Sequence, residues 1–131
     1  MTSARGSLRS DLGRVRGLGS AKEGVQHWWM QRVTAIALIP LSLWFVACIV
    51  FLLDVDRATA VDWLGSPVTL GLMSLFLIAL VYHAILGLQV VIEDYIHSHA
   101  AKMTLVLLVQ FAGIALAAAG IIAMLMITIY G

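Results

Sequence analysis

WLGSPVTLGLMSLFLIALVYHAILGLQVVI, residues 63–92, is a run of 30 residues without one Asp, Glu, Lys or Arg. A helix needs about 20 apolar residues to cross the hydrocarbon of a bilayer, so this stretch spans once and has residues to spare for tilt or interfacial ends. Two similar runs flank it: Val33–Leu53 with 21 residues and Met103–Gly131 with 29. The eight Lys and Arg and seven Asp and Glu all lie between these runs or before them, within residues 5–32, 54–62 and 93–102. The pattern predicts an all-α membrane protein with three transmembrane helices, about 30–53, 66–94 and 103–130, preceded by a mobile tail over residues 1–24 with no apolar stripe.

Composition agrees. The chain has 131 residues, 62% of them hydrophobic and 11% charged, with a mean hydropathy of +1.01. A soluble domain is about 45–50% apolar and 25% charged; this chain lacks the polar residues to cover its own surface in water. A net charge of +1 excludes a nucleic-acid binder built on a basic face. The single cysteine, Cys48, has no partner in the chain, which excludes a disulfide framework and a cysteine-based zinc or iron-sulfur site.

Charge asymmetry orients the spans. Arg5, Arg9, Arg14, Arg16, Lys22 and Arg32 precede the first span, whereas Arg57 stands among Asp54, Asp56 and Asp62. The positive-inside rule puts the N-terminus and the Glu93–Lys102 segment in the cytoplasm, and the Asp54–Asp62 segment and C-terminus outside. The Arg- and Ser-rich start also has the composition of an organelle transit peptide, so a mitochondrial inner membrane stays open beside a bacterial one. A secretory signal peptide does not: the first apolar run starts at Val33 and is too long.

His83 lies inside the middle run, 11 residues before Asp94, or roughly 16 Å along a helix. An ionisable group at such depth faces the protein interior and has a partner. Gly87, Val90 and Asp94 follow at four, seven and eleven positions, within about 40° of the same helix face. That stripe joins an imidazole, a notch and a carboxylate. The glycine either admits something flat, such as a porphyrin, or serves close helix packing; the histidine either ligates iron or bonds a neighbouring helix. If it ligates iron, a low-spin haem needs a second ligand. His27, His97 and His99 lie near the cytoplasmic border, so that ligand must come from another chain, and the haem would sit in a bundle built by two subunits.

Glu93-Asp94-Tyr95 ends the same helix. Aromatic residues are common at membrane borders, but a tyrosine hydroxyl can also donate to a quinone carbonyl while Asp94 orients an arginine or supplies protons. His27-Trp28-Trp29-Met30-Gln31-Arg32-Val33-Thr34-Ala35 opens the first span. Its tryptophans read as an interfacial anchor, and Arg32 either snorkels to lipid phosphate or offers a cation to haem propionates or a quinone pocket. Pro40 is expected to bend the first helix, and Gly113, Ala117 and Gly120 to give the third a small-residue packing face. His97 and His99 read as loop residues, with proton delivery the functional alternative.

Arg32-Val33-Thr34-Ala35, with His83, Gly87, Asp94 and Tyr95 on a second transmembrane helix, resembles the small three-helix membrane anchor of succinate dehydrogenase, over about residues 25–131. The resemblance implies one part of a heteromeric haem-binding helix bundle. His83 would be an axial ligand of haem b, paired with a histidine of the larger cytochrome b anchor subunit. Tyr95 would hydrogen-bond ubiquinone, Asp94 would support that pocket, and Arg32 would lie near the haem propionates and the quinone. It also implies docking of a flavoprotein and an iron-sulfur subunit, which this chain cannot replace: it has no nucleotide fingerprint and no cysteine cluster. Catalysis would belong to the assembly. A fumarate reductase anchor and a cofactor-free structural subunit are the competing readings.

Overall fold

The computed structural model describes residues 20–131, with side chains from residue 24 onward. The tail expected over residues 1–24 lies mostly outside the described residues. Four helices follow in order: α1 (Ser20–Leu52), α2 (Arg57–Leu64), α3 (Pro67–Tyr95) and α4 (His99–Tyr130). α1, α3 and α4 are each long and apolar enough to cross a membrane; this is an all-α, multi-pass membrane protein.

The helices overrun the boundaries drawn from charge. α1 starts at Ser20, ten residues before Met30, and α4 starts at His99, before Lys102. Charge marks where a chain leaves hydrocarbon, whereas a helix continues as long as its backbone bonds are made. His99 is accordingly the first residue of α4, and the connection from α3 is only residues 96–98. α2 was not anticipated. Asp56 caps it, its carboxylate accepting from the Thr59 amide at 3.2 Å, which satisfies one of the orphan donors of a helix start. α3 begins with a Ser66 cap and Pro67 in its first turn, where a missing N–H costs nothing; Ser66 Oγ accepts from the Thr69 amide at 3.3 Å.

The chain divides into two compact units, one ending at Met30 and the other comprising Gln31–Gly131. In the first, the Trp28 and Trp29 rings lie 6.3 Å apart and both are largely exposed, as a headgroup anchor requires.

In the second unit α3 is the central element. It packs closely on α4 because α4 presents glycines to it: a Cβ on Gly113 would collide with Ile85 and come within 3.2 Å of Val81, and one on Gly120 would meet Leu77 at 2.5 Å. Without a hydrophobic driving force between helices in lipid, such backbone approach and its dispersion contacts are what hold the pair. α3 meets α1 through larger side chains. Leu41, Phe76 and Ala79 form the buried cluster, Leu38, Phe45 and Leu72 pack on it, and Phe45 stacks on Phe76 at 4.8 Å, worth about 0.5–1.5 kcal/mol beyond area. α1 runs unbroken through Pro40, which withholds an amide from the Ile36 carbonyl. Arg57 of α2 donates to the Gly131 carbonyl, so α2 lies at the C-terminal end of α4.

Candidate functional site

Following α1 from Leu41 back to Thr34, and α3 from Phe76 on to His83, the antiparallel pair passes from an apolar to a polar zone. Thr34 is buried, with 7% of its surface exposed, and its Oγ1 lies 3.0 Å from His83 Nδ1. The same hydroxyl donates to the Gln31 carbonyl at 3.1 Å, the backward bond that threonine makes in membrane helices. His83 itself is half-buried.

Gly87, one turn beyond His83, faces Gln31: a Cβ there would be 3.7 Å from Gln31 Nε2, an ordinary contact. The glycine therefore opens onto the α1 carboxamide. Gln31 Oε1 is buried and accepts no hydrogen bond. A buried acceptor without a donor is costly, and here it belongs to the side chain that faces Gly87. Thr34 pairs with His83 and Gln31 meets Gly87; the sequence marks Thr34 as part of the Arg32–Ala35 motif and Gln31 as part of the helix entrance, and assigns neither a partner on the second span. Their signal was the spacing of two polar residues three apart ahead of an apolar run, which does not by itself name a partner 49 residues away.

This register also sets the level of Arg32. Two residues from Thr34, it lies about 3 Å of helix rise from the His83 level, whereas Tyr95 is twelve residues, roughly 18 Å, further along α3. Arg32 belongs with His83 and Gly87 by level; Asp94 and Tyr95 form a second locus at the end of α3.

That second locus is open. Glu93 and Asp94 are exposed and Tyr95 is 77% exposed. Both acids occupy the last turn of α3, with no basic residue among them. The negative end of the helix dipole disfavours carboxylates there, so the sequence breaks a local rule at this point, as functional sites tend to. A cationic or hydrogen-donating neighbour would relieve the repulsion.

Among the described residues no group of three or more His, Cys, Asp and Glu side chains converges as a metal site. The donor set fits a group needing one nitrogen from this chain and the rest from elsewhere. An apolar groove of about 250 Å³ between α3 and α4, lined by residues such as Val81, Ile85, Leu88 and Gly113, has no such donor.

The succinate dehydrogenase/fumarate reductase transmembrane subunit family matches residues 7–118. Among curated relatives, the succinate dehydrogenase hydrophobic membrane anchor subunit of Rickettsia bellii is 36% identical over 116 residues, 88% of this chain and 93% of that one. The subunit of the same name from Rickettsia conorii is 35% identical over 79% of this chain and 82% of its own, and that of Paracoccus denitrificans 32% identical over 80% and 81%. No solved structure matches the chain. Three spans and this coverage agree: the chain belongs to the succinate dehydrogenase/fumarate reductase transmembrane subunit family.

Proposed function

We propose that this chain is the small anchor of a succinate:quinone oxidoreductase, contributing one axial ligand of a haem b and part of the quinone-reduction site. The observation that carries the reading is His83, half-buried within a membrane span and bonded through Nδ1 to a buried threonine. With Nδ1 engaged, Nε2 is the nitrogen left for iron. One ligand from this chain calls for a second from a partner cytochrome b anchor subunit. The orphaned Gln31 Oε1 supports a site that a neighbour completes, and Arg32, near the His83 level, is the cation for the propionates. A bound haem b supplies a one-electron carrier beside the quinone path.

At the other locus, Tyr95 donates to a carbonyl of ubiquinone and Asp94 orients a neighbouring cation or passes a proton. Reduction of the quinone takes two electrons and two protons and gives a quinol that leaves through lipid. Tyr95 and Asp94 are too exposed to enclose it, so the partner anchor and the iron-sulfur subunit form the remaining walls. The iron-sulfur and flavoprotein subunits dock at this end, which positive-inside charge puts in the cytoplasm, for a bacterial inner membrane.

The test is purification of the tagged chain with its partners in mild detergent. A flavoprotein, an iron-sulfur protein and a second small membrane protein are expected, with a b-type reduced-minus-oxidised band that His83→Ala abolishes. Recovery without those partners overturns the anchor assignment; an undiminished band in His83→Ala overturns the ligand assignment.

A further inference from the structure

Resting on the reading of His83 as a haem ligand, we infer that Thr34 is its positioning residue: its hydroxyl fixes the tautomer and the ring orientation, and so tunes the iron. A threonine hydroxyl has one proton and can accept as well as donate. Among its partners here are the Gln31 carbonyl at 3.1 Å and His83 Nδ1 at 3.0 Å. Assigning the threonine proton to the Gln31 carbonyl, which only accepts, leaves the imidazole to supply the proton of the second bond. His83 is therefore the Nδ1–H tautomer, with its lone pair on Nε2.

The relay Nδ1–H to Oγ1–H to carbonyl points in one direction, and each bond polarises the next. Electron density moves toward Nε2, making it a stronger donor, as an outer-shell acceptor does for metal-bound histidine. Thr34 is buried, so water does not compete for the bond. Because the Gln31 carbonyl belongs to the α1 backbone, the imidazole is referenced to a rigid element rather than to another mobile side chain.

The experiment compares wild-type, Thr34→Val and Thr34→Ser in the purified complex. Thr34→Val keeps the shape and removes the hydroxyl. Its haem is expected to show a raised midpoint potential, since a weaker donor stabilises the ferric state less, a shifted low-spin EPR signal as the ring is released, and about ten-fold or more weaker haem retention. Thr34→Ser restores all three. A Thr34→Val complex with wild-type potential and EPR signal overturns the inference while His83→Ala still removes the haem; haem persisting in His83→Ala instead overturns the ligand reading beneath it. Should Thr34→Val fail to assemble, the ¹⁵N shifts of His83 in the detergent-solubilised full-length wild-type chain decide. An Nδ1–H ring is expected, and an Nε2–H ring overturns the proposal.

Discussion

Tyr95, the last residue of α3, exposes 77% of its surface, and in the proposed function its hydroxyl is the donor to a quinone oxygen. As the quinone takes electrons, negative charge grows on that oxygen, so a donor aimed there matters more in the transition state than in the ground state. Tyr95→Phe is expected to lower quinone reduction on the order of 10²-fold, the scale for removing one such donor, with haem content unchanged. Haem loss with quinone reduction intact would show that the two loci have been assigned the wrong way round. Asp56 gives a prediction at the opposite end. The hydrogen bonds from the Thr59 side chain and amide hold its carboxyl below the usual aspartate value. A folded-state value below the unfolded one means that the cap contributes above the unfolded pKa and is lost as pH falls through the folded one. Hydrogen exchange at the Thr59 amide should therefore lose protection on acidification below the ordinary carboxylate range. Asp56→Asn, which caps without a titrating charge, should remove that pH dependence.

Among the elements, the α3–α4 pair depends on two glycines that admit Ile85 and Leu77. Gly113→Leu should destabilise the detergent-solubilised chain by about 1–3 kcal/mol, the range for overpacking a filled contact, read as a lower melting temperature. Gly71→Ala is the control, since nothing stands within 4 Å of a Cβ there; an equal loss in both variants would mean that the α3–α4 contact does not hold the fold. The spans themselves were legible because charge and apolar length are local properties, and so was the packing face at Gly113 and Gly120. α2 was passed over because eight residues containing Arg57 and Asp62 look like an interfacial loop, although Asp56 followed by Thr59 is a readable cap. What no local pattern carries is the α1–α3 register. Both helices are apolar on nearly every face, so neither has a periodicity that says which residue meets which. His83 was visible as an ionisable group in a span, but its pairing with Thr34, the placement of Gln31 against Gly87, and the level of Arg32 required the packed helices.

Across the molecule, the burial is slight: 6%, 11% and 0% of the residues in the apolar windows of α1, α3 and α4 are covered by the chain itself. The rest of that surface requires lipid or partner helices, since a bilayer removes the cost of exposing it while water does not. The fold also links topology to chemistry. Arg57 reaches the Gly131 carbonyl, so α2 and the end of α4 share one side, and residues 96–98, next to Tyr95, lie at the other end of α3. With one native cysteine, Cys48, the sides can be read by thiol labelling in a Cys48→Ala background. In spheroplasts, a membrane-impermeant maleimide should label Ala58→Cys directly and Ser98→Cys only after permeabilisation. Labelling of both without permeabilisation would rule out a single crossing by α3. The reverse pattern would keep the crossing but invert the protein, moving Asp94 and Tyr95, and any soluble subunits docked beside them, to the opposite face of the membrane.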